Sequence, residues 1–231
     1  MPGTSRQRQS TIGMPSPKIH KINPTNPDPD IIQEAAGVIR NGGVIAFPTR
    51  CLYGLGADAF NPGAVERIFK IKQRPAENPI LILIDDPKRL KRLVPHISDA
   101  AKAIMQRFWP GRATLVFDAG GEVPDTLTAG TGKIGIRLAG HPVAVALARA
   151  IRGPITGTSA NLSGQPGCYQ IEDLHPEITE QLDLILDAGS LTGGRGSTVV
   201  DVTGEIPRVL REGVVSEKDI LATHARRLAG E

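Results

Sequence analysis

Residues 43–79, GVIAFPTRCLYGLGADAFNPGAVERIFKIKQRPAENP, limit what this chain can fold into more than any other stretch. Residues 44–47 are a short apolar, β-prone run bounded by Gly42, Gly43 and Pro48, which reads as a buried strand. A tight turn follows, built from Thr49, Arg50, Cys51, Tyr53, Gly54 and Gly56. Asn61 and Pro62 mark a helix start, with a side-chain acceptor at the cap and a proline where a missing N–H costs little. Val65, Ile68 and Phe69 recur at helical spacing, and the next position on that stripe is Lys72. A lysine that continues an apolar stripe has two readings. Its stem packs and its ammonium reaches water, or it stands with Arg74 where the helix meets a cleft and holds an anion. Pro75 and Pro79 stop the helix and fix its exit, with Asn78 between them.

Elements of both kinds alternate along the rest of the chain. Residues 30–40 read as a helix with Ile31, Ala35, Val38 and Ile39 inward, closed by Asn41 and Gly42. The unbroken apolar run 80–84 suits a central strand buried on both faces. Further strands are expected at 115–117, 134–138, 155–156, 184–186, 198–202 and 207–211. Further helices are expected from Asp86, from Ser98, from Pro142 to Ile151, over 172–182, and from a Ser216 cap. Residues 118–132 and 157–168 read as polar loops. The pattern lacks strict βαβ regularity, so the expected class is α/β: an open twisted mixed sheet with flanking helices.

At 231 residues, 40% of them apolar, the chain can bury one sizeable core. Residues 1–29 read as a flexible basic arm, able to touch RNA or to be a plain tail, and 30–231 as one catalytic domain. The first 20 residues carry Arg6, Arg8 and Lys18 but no apolar core, so they do not read as a secretory signal. No run is long enough to span a bilayer. Cys51 and Cys168 make no disulfide framework, and a reducing cytoplasm is the expected compartment. A net charge of +3 and a pI near 9.0 suit a polyanionic ligand such as a nucleotide or RNA, without the dense stripe of a dedicated nucleic-acid binder.

Several chemistries find no support. There is no His-Glu-x-x-His and no cysteine cluster for zinc, no P-loop, and no Gly-x-Gly-x-x-Gly after the first strand. Ser159 lies in Gly-Thr-Ser-Ala-Asn, which is not a nucleophile elbow. What remains is a set of anion holders and short donors at strand ends. Lys72, Arg74, Arg137 and Arg211 supply charge. Thr158, Ser159, Asn161 and Ser163 lie between Gly157 and Gly164, and Ser197 follows Arg195 and Gly196. Arginine grips carboxylate or phosphate at two points, and glycines let backbone N–H groups approach phosphate. Taken singly, each piece is also an ordinary solvated arginine or an ordinary turn. Together they suit phosphate and carboxylate binding without a covalent intermediate.

The motifs PTRCLYGLG (48–56), KQRP (72–75), KIGIRLAGHP (133–142), TSANLSG (158–164) and STVVDVTG (197–204), followed by Arg211-Glu212-Gly213, appear in this order. In this the chain resembles the YrdC-like threonylcarbamoyl-adenylate synthase family, over roughly residues 28–221 and in its short, single-domain form. The resemblance implies an open twisted sheet with a basic concave cavity. It also implies a reaction: threonine and bicarbonate give a carbamate, which attacks the α-phosphate of ATP and releases pyrophosphate. A transfer machinery then passes the threonylcarbamoyl group to adenosine 37 of tRNA. By matching positions, Lys72 and Arg74 are the catalytic candidates. Arg74, Asn78, Lys133, Ser159, Asn161, Gly167 and Arg211 fall on the ATP side, and Cys51, Arg137, Gly157 and Ser197 on the threonine side. Mg²⁺ is expected to travel with ATP, with no protein ligand assigned.

Two positions depart from the family pattern, Cys51 where a threonine is usual and Leu83 where a histidine is common, both on the threonine side. Other readings of the same cavity are a double-stranded RNA or tRNA-binding module and a carbamoyl-adenylate synthase for another acceptor. Aromatic residues are only 3% of the chain, which argues against single-strand recognition by stacking.

Overall fold

Asp28 accepts hydrogen bonds from the backbone N–H groups of Asp30 and Ile31, and Pro29 fills the first helical position, so a helix starts there in the computed structural model, which describes residues 16–229. The helices are α1 (Pro29–Arg40), α2 (Pro62–Lys72), α3 (Leu90–Leu93), α4 (Asp99–Phe108), α5 (Asp125–Thr128), α6 (Pro142–Ile151), α7 (Pro176–Thr179) and α8 (Glu217–Ala229). The strands are β1 (Lys18–Lys21), β2 (Ile45–Pro48), β3 (Tyr53–Gly56), β4 (Ile82–Ile84), β5 (Ala113–Asp118), β6 (Lys133–Leu138), β7 (Ile155–Thr156), β8 (Thr158–Ser159), β9 (Leu184–Asp187), β10 (Thr198–Asp201) and β11 (Arg208–Arg211).

The mixed α/β class is as expected, but the strands divide between two sheets. One has the order β1-β9-β2-β3-β8 and the other β11-β10-β5-β6-β4-β7. The chain passes from the second sheet to the first at Gly157, between β7 and β8. A Cβ there would stand 2.6 Å from Leu83 Cγ and 2.7 Å from Leu81 Cδ1, so no side chain fits. β7 pairs with β4, and β8 pairs with β3. The crossing therefore lays the loop after β8 beside the turn between β2 and β3. Cores form on both sides, one around Val65, Ile68, Ile82 and Leu115 and another around Ile39, Phe47, Leu83 and Leu147.

Several expectations need correction: Tyr53–Gly56, expected within a turn, is strand β3, and the expected loops 118–132 and 157–168 contain α5 and β8. Within the expected arm, residues 1–15 lie outside the described residues, but Lys18–Lys21 is a strand paired in parallel with β9. Lys18 and His20 both meet Glu34 of α1. Its Lys-Ile-His-Lys sequence carries no apolar run, so an edge strand there leaves no sequence signal. Helix α1 buries Ile32, Ala35, Ala36 and Ile39, a face turned from the expected Ile31 and Val38 because it packs between α6 and β2. On α2, Ile71 is buried and Phe69 only partly. The helix expected over 172–182 is a 3₁₀ turn at Ile171–Asp173 and the single turn α7, because Pro176 holds His175 in an extended conformation.

Candidate functional site

A cavity of about 860 Å³ opens where the two sheets meet. Of the twelve residues that sequence pointed to, eleven line it: Cys51, Lys72, Arg74, Lys133, Arg137, Gly157, Ser159, Asn161, Gly167, Ser197 and Arg211. Asn78 does not. It lies exposed just outside, and its backbone carbonyl accepts from Arg74 Nε at 3.0 Å while Pro79 accepts from Arg74 Nη2 at 2.8 Å. Asn78 thus aims Arg74 through its main chain.

Lys72 ends α2 and is only 2% exposed, so its head does not snorkel to water. Its ammonium donates to Ser159 O at 2.5 Å, Asn161 O at 2.6 Å and Asn161 Oδ1 at 3.2 Å. Three donors meet three acceptors. Burial, then the neighbouring Arg74 charge, pushes the Lys72 pKa down to about 7. Ser159 Oγ donates to Asn161 Oδ1 and Asn161 Nδ2 reaches Leu162 O and Gln165 O, so the loop is fixed from within as well. Lys72 therefore acts on this loop, and the loop faces the cavity.

Arg137 stands on β6, and its Nη1 donates to Ser197 Oγ at 2.8 Å. Ser197 Oγ shares a second bond of 2.8 Å with Thr114 Oγ1 on β5. Burial pushes the Arg137 pKa down to about 10. Arg211 donates from Nη2 to Ser197 O at 3.1 Å. A Cβ at Gly213 would stand 2.4 Å from Gly196 O, so only glycine lets this end of β11 close on Ser197. Lys133, by contrast, is already paired: its Nζ meets Asp201 Oδ2 at 2.9 Å and Thr203 Oγ1 at 2.8 Å.

Cys51 is 4% exposed, and its thiol donates to Arg195 O at 3.5 Å. Leu83 sits behind the wall, packed against Gly157 rather than lining the cavity. Sequence reasoning assigned no role in the cavity to Arg50, Thr114, Arg195 or Asp201, all of which line it. Thr114 and Asp201 sit inside apolar strands, where a lone polar residue reads as the strand's outer face.

The electrostatics are one-sided. Among the described residues, no carboxylate lies within 4.0 Å of Arg50, Lys72, Arg74, Arg137 or Arg211. Burial and then the Arg211 charge hold Arg74 below its ordinary pKa. Partly desolvated like charges without counter-ions repel, and an anion in the cavity relieves the cost. The carboxylates that line it, Asp201 and Glu212, are engaged with Lys133 and with Arg195 and the Glu217 N–H. Among the described residues no three His, Cys, Asp or Glu side chains come together to hold a metal. No helix among them is long and apolar enough to cross a membrane.

A family described as "Telomere recombination" (Sua5_yciO_yrdC) matches residues 37–213. The chain is 38% identical over 189 residues to a threonylcarbamoyl-AMP synthase of Pyrococcus abyssi, which covers 82% of this chain and 56% of that protein. It is 40% identical over 199 residues to a threonylcarbamoyl-AMP synthase of Bacillus subtilis, covering 84% and 56%. The chain thus spans little more than half the length of these two relatives. The structure of P. abyssi Sua5 complexed with L-threonine superposes with a TM-score of 0.84 at 36% identity, covering 89% of this chain and 60% of that one.

Proposed function

This chain belongs to the Sua5–YciO–YrdC family, and from that premise we propose that it makes threonylcarbamoyl-AMP and pyrophosphate from L-threonine, bicarbonate and ATP. The observation that carries the reading is the ring of unpaired cations, Lys72, Arg74, Arg137 and Arg211, around one cavity. The reaction brings two anions together, a carbamate and a triphosphate, and a site with fixed positive groups and no competing carboxylates offsets their repulsion. The names of the two relatives and the threonine complex of P. abyssi Sua5 support the same assignment.

The roles follow from chemistry. Arg137, aimed by Ser197 and Thr114, takes the amino-acid carboxylate. Arg74 and Arg211 take the phosphates. The Ser159–Asn161 loop, fixed by Lys72, presents its hydroxyl and N–H groups to the nucleotide. The carbamate oxygen then attacks the α-phosphorus. The bond from that phosphorus to the oxygen bridging to the β-phosphate breaks, and pyrophosphate leaves with the electron pair. The nucleotide enters as its magnesium complex, a substrate, and no step is assigned to a metal held by the protein. Transfer of the threonylcarbamoyl group to tRNA falls to partners.

The test is pyrophosphate release by the full chain with MgATP, bicarbonate and threonine, with serine and no-amino-acid controls and mass spectrometry of the adenylate. Threonine-dependent product is expected. ATP binding with no product from any amino acid overturns the synthase reading and leaves a diverged nucleotide- or RNA-binding relative.

A further inference from the structure

We propose that Arg50 and Arg137 form a two-point clamp that takes the amino acid as its N-carboxylated dianion, so that Arg50 marks the bicarbonate end of the cavity. The inference rests on the synthase reading above and adds to it Arg50, which lies inside the 48–56 motif but is given no role by the resemblance.

Arg50 sits in the turn between β2 and β3 and lines the cavity. Its Nη2 donates to Arg195 O at 3.1 Å and reaches Cys51 Sγ at 3.4 Å. Its Nε is buried with no hydrogen-bond partner. That enclosed Nε is out of a ligand's reach, but Nη1 makes no hydrogen bond to the described residues and is not enclosed, so its N–H groups are the ones an anion in the cavity can take. Its stem passes beside Gly111, where an added Cβ would stand 3.3 Å from Arg50 Cδ, so the glycine leaves the room the stem occupies.

Arg137 reaches the same segment from the other sheet. It holds Ser197 Oγ while Arg50 holds Arg195 O two residues earlier. The positive charge of Arg50 is among the causes that hold Arg137 below its ordinary pKa, after burial and Arg211. A single carboxylate on Arg137 leaves the Arg50 charge unanswered. A free amino acid makes matters worse, because its ammonium would sit beside a second guanidinium.

The N-carboxylated form answers both. The amine loses its proton to solvent and then reacts as R–NH₂ + HCO₃⁻ → R–NH–CO₂⁻ + H₂O, forming the N–C bond and releasing one bicarbonate oxygen as water. The product carries two carboxylates separated by two atoms, nitrogen and Cα. Arg137 takes one and Arg50 the other, which draws the equilibrium toward the carbamate that the next step consumes.

Succinate has the same two-atom spacing and is stable, so it is the probe. Calorimetry on the full chain without nucleotide should show succinate binding about tenfold or more tighter than acetate, and Arg50→Gln should reduce that preference to about twofold. In the pyrophosphate assay, Arg50→Gln should raise the KM for bicarbonate about tenfold while the KM for ATP stays within about twofold, and Arg50→Lys should recover part of it. Equal affinity for succinate and acetate in the wild type overturns the clamp even if the enzyme is active. So does a rise in the ATP KM with bicarbonate unmoved, which would place Arg50 on the phosphates, or an equal rise for every substrate, the mark of a structural role. A wild type that prefers succinate but releases no pyrophosphate with threonine keeps the clamp and removes the synthase reading.

Discussion

Arg137 is held on Ser197, its Nη1 donating to the serine hydroxyl at 2.8 Å. The same hydroxyl meets Thr114 Oγ1, and the Ser197 carbonyl meets Arg211. One serine therefore joins Arg137, proposed for the amino acid, to Arg211, proposed for the phosphates, through its side chain on one side and its main chain on the other. Ser197→Ala removes only the side-chain half. The expected result is a KM for threonine raised about tenfold, the order of one lost charge-assisted hydrogen bond, with the KM for ATP little changed. Steady-state kinetics with each substrate varied in turn checks this. An equal rise in both constants would show that the two ends are not separable at Ser197.

Lys72 makes no free N–H available to a ligand, because Ser159 and Asn161 take all three. It is a positioning residue for the loop. Lys72→Met keeps the stem volume and removes the ammonium, so Asn161 O loses its donor while Ser159 O keeps the Asn161 N–H and Asn161 Oδ1 keeps the Ser159 hydroxyl. Nucleotide affinity should fall tenfold or more, and amide exchange in residues 158–164 should speed up while exchange in β5 and β6 stays slow. A drop in affinity with unchanged exchange in the loop would mean that Lys72 touches the nucleotide directly.

These two residues also mark what the sequence could and could not tell. Lys72 was conspicuous because it broke an apolar stripe at helical spacing, and the break marked the site. Arg137 and Ser197 are visible as an arginine near a strand end and a serine opening a strand, each ordinary taken singly, and the family motifs give them a place on the threonine side. Thr114 and Arg50 stayed silent for different reasons. Thr114 is a small residue in an apolar strand, and its partner lies 83 positions away. Arg50 sits in a turn, where an exposed arginine is ordinary. The division into two sheets was hidden as well, because it depends on Gly157 crossing between them, a contact between distant parts of the chain. Strand β1 was hidden because its partner β9 supplies all of its pairing and its own sequence, Lys-Ile-His-Lys, has a single apolar residue.

Gly157 can be tested by size alone. Gly157→Ala places a methyl 2.6 Å from Leu83 Cγ, closer than packed atoms stand, so stability should fall by about 1–3 kcal/mol. Leu83→Ala removes the obstructing atoms at its own cavity cost. The double variant should be less destabilised than the sum of the singles, by about 1 kcal/mol or more. Denaturant unfolding of all four proteins measures this coupling. Strict additivity would show that Leu81, at 2.7 Å, is the residue that blocks the space.

His141 gives the fold an acid-sensitive joint away from the cavity chemistry. It caps α6, its Nδ1 accepting from the Val143 N–H at 3.3 Å, which requires that nitrogen to be unprotonated. Burial pushes its pKa down to about 4, against an ordinary value of 6.5. The unfolded chain therefore binds a proton at this position that the folded chain refuses between these two values. Stability is complete above about pH 6.5 and declines as pH falls toward 4, by on the order of 2–3 kcal/mol from this group. Asparagine caps a helix without titrating. His141→Asn should match the wild type near pH 8 and keep a higher unfolding midpoint at pH 4.5, where carboxylate effects common to both proteins cancel in the difference. Denaturant melts of the pair at several pH values measure it. Parallel curves down to pH 4 would show that His141 takes up its proton without leaving the cap.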